Sequence, residues 1–73
     1  MMKAEKKARA MVASRSLPDL IRDFEVTNTI YPVTVELATV RGWIMDELQK
    51  RNESAFWAWV ESDDDSPRGY YVM

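Results

Sequence analysis

The side chains of this chain that could carry chemistry are twelve Asp and Glu, ten Lys and Arg and three Tyr, with neither histidine nor cysteine among them. The two missing types remove the commonest general base, the commonest nucleophile–base pairs and the usual transition-metal ligands. Carboxylates alone can still act as acid and base or hold a hard cation. Asp46 and Glu47 are adjacent within an apolar-periodic segment, but neighbours on a helix point about 100° apart and do not converge. Asp63, Asp64 and Asp65 offer oxygen ligands without the alternating spacing and the later Glu of a calcium loop, so the run reads as solvated loop. Only two glycines are present, which leaves no Gly-rich phosphate cradle. The expectation is a non-catalytic chain with no cofactor, no metal site and no small-molecule substrate.

What remains are residues suited to contacts. Residues 1–22 carry six basic residues against Glu5 and Asp19, whereas residues 23–73 carry four basic and ten acidic ones. Lys3, Lys6, Lys7 and Arg9 form a candidate basic patch that could meet phosphates. The plainer expectation is that the basic end sits against the acidic end, within the chain or between copies. Ala38, Arg41, Gly42, Trp43 and Trp57 form a candidate interaction surface. Glycine inside a helix costs about 1 kcal/mol relative to alanine. Gly42 follows Ala38 by four residues, so the pair makes a small-residue strip. Contact with the first helix or the tail of the same chain is the plainer account of it, and a helix across an interface is the sharper one. Arg41 falls at the edge of an apolar arc, where an ion pair to Asp23 or Glu25 would explain it, or else an anion or partner. Trp43 and Trp57 sit at the rims of their helices, either packed inside or presented as binding anchors.

These residues must be held by helices. Seventy-three residues make one domain, and below about 70–80 residues a single core rarely supplies more than ~3–5 kcal/mol. No disulfide is available to help. The first expected helix spans 2–14, with Ala4, Ala8, Met11 and Val12 as a weak apolar stripe and fraying before about Ala8. Ser16 caps a second helix, in which Leu17, Leu20, Ile21 and Phe24 share one face and Asn28 is the terminator. Residues 29–33 connect to a third helix capped by Thr34, with Leu37, Val40, Ile44 and Leu48 on its inner face. Asn52 or Ser54 caps a fourth helix whose inner face is Phe56, Trp59 and Val60. The Asp63–Asp65 run ends it, because negative charge opposes the dipole at a helix C-terminus. Tyr70, Tyr71, Val72 and Met73 are too apolar for a free tail. The expected fold is therefore all-α: a small four-helix single domain over residues 1–73, with a central helical hairpin and a short apolar C-terminal tail. Leu20, Phe24, Leu37, Val40, Ile44, Leu48, Phe56 and Trp59 are the expected core.

No apolar run approaches the ~18–20 residues needed to span a bilayer, and no secretory-type leader is visible. No membrane role and a cytoplasmic location are the expectation. A helix-turn-helix DNA reader is disfavoured, because the connection at 28–33 is long and contains proline and the following helix is neutral rather than basic.

The segment Thr34-Val35-Glu36-Leu37-Ala38-Thr39-Val40-Arg41-Gly42-Trp43-Ile44-Met45-Asp46-Glu47-Leu48, followed by Ala55-Phe56-Trp57-Ala58-Trp59, resembles short uncharacterised proteins of actinobacteria and their phages. The likeness covers roughly residues 17–68. It implies a bacterial or phage cytoplasmic protein and brings no activity or site with it. The functional expectation is a non-catalytic protein–protein interaction module: an adaptor, a small regulator or a homo-oligomer. The alternative is a nucleic-acid-associated regulator using the basic first helix.

Overall fold

The computed structural model describes the backbone over residues 2–71 and the side chains over residues 5–71. Four helices follow one another: α1 (Met2–Ser14), α2 (Leu17–Thr27), α3 (Val35–Arg51) and α4 (Glu53–Ser62), with a single 3-10 turn at Pro67–Gly69. Lys3, Val72 and Met73, which figured in the expected basic patch and tail, lie outside the described side chains.

Local chemistry sets each boundary. The Ser16 hydroxyl accepts from the Asp19 N–H, Thr34 accepts from the Leu37 N–H, and the Asn52 side chain accepts from the Ala55 N–H. Each satisfies a backbone donor that the first helical turn leaves free. Asn52 does double service, since its own N–H donates to the Leu48 carbonyl and closes α3. A single residue thus joins α3 to α4. At the far end of α4, Asp63 takes up a left-handed conformation with φ 64°. Few non-glycine residues tolerate that region, Asp and Asn being among those that do.

The core is one cluster in which α2, α3 and α4 meet. Leu20, Ile21 and Leu48 are fully buried, and Phe24, Ile44, Ala55, Phe56, Trp59 and Tyr71 nearly so. Phe24 and Phe56 both meet Trp59 edge to face, with ring centroids 5.1 and 5.9 Å apart. That geometry suits the aromatic quadrupole and adds to the burial term.

Two of the expected core residues are corrected. Leu37 is only half-buried and Val40 is 37% exposed. Both lie in phase with Ile44, but direction on a helix does not guarantee a cover. The element beside Val40 is α1, whose nearby side chains are Ala8 and Met11, and alanine is too short to close over a valine. Met11 itself is 61% exposed, and Val60, expected on the inner face of α4, is exposed as well. From α1 it is Val12 that packs against the core.

The C-terminal segment straps the bundle. The Trp59 indole N–H donates to the Asp64 carbonyl, and the Asn28 amide donates to the Asp65 carbonyl. Pro67 is buried, and the buried Tyr71 hydroxyl donates to the Leu48 carbonyl at 2.8 Å. The expectation that the tail is not free thus holds as far as Tyr71.

Candidate interaction surface

The five residues of the expected surface do not form one surface. Arg41 turns inward. Its guanidinium lies 4.6 Å over the Phe24 ring and donates to the Thr27 hydroxyl and the Asn28 side-chain carbonyl. Neither expected acid partners it. Asp23 is taken by Arg15, and Glu25 by Arg68. Arg41 instead places positive charge at the C-terminal end of α2, where the helix dipole favours it.

Gly42 and Ala38 face outward and are exposed. Among the described residues nothing lies within 4 Å of the position a Cβ on Gly42 would take. Over the described residues, the expectation that the first helix or the tail of the same chain packs on this strip is therefore corrected. α1 docks further round α3, and the tail crosses toward α2 and Leu48. Trp43 is half-buried beside α1, where the Arg9 guanidinium stands 5.9 Å from the ring centroid. Trp57 is 46% exposed and meets Phe56 edge to face.

The seam between α1 and α3 leaves a groove on either side of their contact, and Trp43 lines both. One, of about 310 Å³, is bordered by Lys6, Arg9, Asp46, Glu47 and Lys50. The other, of about 370 Å³, is floored by Ala8, Met11, Val12, Val40 and Trp43, with the Arg15–Asp23 pair at its border. The second is the more apolar. Its origin is the alanine-rich face of α1, too shallow to fill the space against α3.

Asp46 and Glu47 diverge as a helix requires. Asp46 stands 3.9 Å from Arg9, whereas Glu47 accepts from Arg51 at 2.9 Å. Arg51 also donates to the Ala13 carbonyl, tying the end of α1 to α3. Among the described residues no group of three or more Asp or Glu side chains is placed to hold a metal ion, and no helix is long and apolar enough to cross a membrane.

Two groups among the described residues have strongly displaced acidities, and both sit where the strap meets the helices. Hydrogen bonds from Arg68 and from the Ser66 hydroxyl lower the Glu25 carboxyl to about 2. Burial pushes the Tyr71 phenol up to about 12. Neither faces a groove, so both hold structure rather than serve a site.

Charge placement is a clearer result. Arg9 of α1 pairs with Glu5 and Asp46, and Arg15, just beyond α1, pairs with Asp23; neither reaches the acidic run of residues 53–65. From residue 53 to residue 65 there are five carboxylates and no base. Among the described residues none of the five makes an ion pair, and neither do Lys6, Lys7 and Lys50. The expectation that the basic end meets the acidic remainder within the chain is met at Arg9–Asp46 and Arg15–Asp23, whereas the acidic run near the C-terminus lies beside α2 and the 3-10 turn.

Sequence reasoning missed one feature. Residues 26–35, VTNTIYPVTV, carry no charge in a chain that is 30% charged. In the fold Val26, Ile30, Tyr31, Val33 and Val35 are 45–91% exposed around the α2–α3 connection. The uncharged run was the available signal; reading it merely as a connection hid it. In comparisons with protein-family models, curated proteins and solved structures, nothing matches this chain.

Proposed function

We propose that this protein is a non-catalytic interaction module that works by docking apolar surface against a protein. The observation that carries the reading is clustering. Among the described residues nine large apolar side chains are exposed, and they fall into three groups: the Met11–Val40 groove, the α2–α3 connection and the outer face of α4. Scattered apolar residues on a surface are ordinary, whereas contiguous ones mark contacts. The lack of histidine and cysteine and the divergence of Asp46 and Glu47 support a non-catalytic role. Nucleic-acid contact through α1 has less in its favour, because Arg9 is drawn to Glu5, Asp46 and Trp43. A bacterial or phage cytoplasmic setting is proposed from the resemblance alone.

Photo-crosslinking residues placed at Tyr31, Val40 and Trp57 in living cells test this, with Ser54 as a polar exposed control. Protein adducts confined to the apolar positions are expected. Adducts at none of them, or equally at Ser54, would overturn the reading.

A further inference from the structure

α4 is apolar on two sides. Ala55, Phe56 and Trp59 enter the core, while Trp57 and Val60 are exposed. At 100° per residue Trp57, Val60, Glu53 and Glu61 share the outer face. A helix with apolar residues all round is normally buried, so this second stripe is without its cover. The stripe is also acidic, because Glu53 and Glu61 flank it, and Asp63–Asp65 follow directly beyond the end of α4. Three carboxylates beyond a helix C-terminus oppose its dipole, and the described fold pairs none of them with a cation.

The α1–α3 groove presents the converse. Met11, Val40 and Trp43 supply an apolar bed. Across Trp43, which lines the grooves on both sides of the seam, the unpaired Lys6 and Lys50 border the companion groove, and Lys7 lies one helical turn before Met11; all three lysines are exposed. The carboxylates near this seam are already engaged, Asp23 with Arg15, Asp46 with Arg9 and Glu47 with Arg51. The unpaired positive charge of α1 and the unpaired negative charge of α4 thus occupy different parts of one molecule, each beside exposed apolar side chains.

We propose that the acidic outer face of α4 docks along the α1–α3 seam of a second copy of this chain, seating Trp57 and Val60 on Met11, Val40 and Trp43 with its carboxylates toward the lysines that flank the seam. The mode is an amphipathic helix laid into an apolar groove, with charge complementarity fixing its direction. The described chain exposes 5337 Å², ample for the roughly 800 Å² per partner of an ordinary interface. The inference rests on the interaction reading above and adds the identity of the partner.

The test measures molar mass by light scattering from about 1 to about 100 µM on the unmodified chain and two charge variants. One carries Lys6→Glu with Lys7→Glu, the other Glu61→Lys with Asp65→Lys. All four positions are exposed, and circular dichroism verifies that both variants keep the helical fold. The unmodified chain should associate with rising concentration and less so in high salt. Each variant alone should need at least about tenfold more protein to associate. An equimolar mixture should recover association, since the acidic α4 of the first variant meets the basic seam of the second and the basic α4 of the second meets the acidic seam of the first. A monomer throughout the range, association indifferent to both variants, or a mixture no better than its parts would each overturn the proposal. If the chain is monomeric yet the crosslinks at Val40 and Trp57 still capture another protein, self-docking fails while the interaction reading stands.

Discussion

Arg41 shows what one cation can do away from any acid. It covers the face of Phe24 and supplies donors to Thr27 and Asn28 at the end of α2. Replacing it with alanine removes a cation–π contact and two hydrogen bonds to neutral groups, worth about 1–3 kcal/mol together. Chemical denaturation should show that loss, and lysine should recover only part of it because it lacks the planar group that lies over the ring. Gly42 points the other way. With open space at its Cβ position, Gly42→Ala should raise stability by up to about 1 kcal/mol, the reverse of what close packing within the chain would require. A lower melting temperature in the alanine variant would mean that another molecule occupies the strip. The acid-dependent pair is Glu25 with Arg68. The carboxyl is lowered by folding, so its contribution is complete above its ordinary value near 4.5 and fades as pH falls toward about 2. Thermal melts of Glu25→Gln should therefore differ from the parent at neutral pH and converge with it near pH 2. Tyr71 has the opposite sign. Its phenol is raised by burial, so its contribution is complete below about 10 and is lost as pH rises toward about 12.

Among the elements, α3 is the one on which the others meet, and its inner side chains divide by how well they are covered. Ile44 and Leu48 are enclosed by α2 and α4, so either one changed to alanine should cost about 2–5 kcal/mol in denaturant unfolding. Val40 lies in phase with them but opens onto the groove beside Ala8, and its loss should cost under about 1 kcal/mol. Equal penalties at Val40 and Ile44 would contradict this division. The same contrast shows how far the sequence was readable. Ser16, Thr34 and Asn52 identify themselves because a cap is a local hydrogen bond between residues two or three apart. Periodicity likewise gives the azimuth of each apolar side chain. It does not say which azimuth another element will reach, so Val40, Val60 and Leu37 were placed too deep. Tyr71 could be read only as not free, because its seat on the Leu48 carbonyl spans twenty-three positions. Of the candidate surface, the rim positions of Trp43 and Trp57 were legible. The inward turn of Arg41 was not, since it depends on how α2 ends against α3.

For the molecule as a whole, the strap is as much a part of the fold as the helices. A chain this small has only ~3–5 kcal/mol in hand, and Tyr71 fills the core from the far end of the sequence. Tyr71→Ala removes a buried aromatic ring, a change that typically costs about 3–5 kcal/mol. Circular dichroism should find that variant largely unfolded at physiological temperature, whereas Tyr71→Phe, which loses only the hydroxyl, should stay folded. The Leu48 carbonyl still accepts from the Asn52 N–H in the phenylalanine variant, so no buried acceptor is orphaned. The strap also accounts for the charge polarity of the surface, because it holds the acidic run beside α2 and away from α1.

The junction at Asn52 carries a consequence for how this chain can change length. Because one residue closes α3 and opens α4, there is no slack to absorb an insertion. One extra residue there would turn α4 by about 100°, rotating Phe56 and Trp59 out of the core and bringing Ser54, Ala58 and Ser62 toward it. The same insertion among residues 29–33, where the backbone is exposed and connects helices through a longer span, would leave every helical phase intact. Length variation is therefore tolerable on one side of α3 and forbidden on the other, so the α3–α4 hairpin can be inherited or transplanted only as an indivisible cassette.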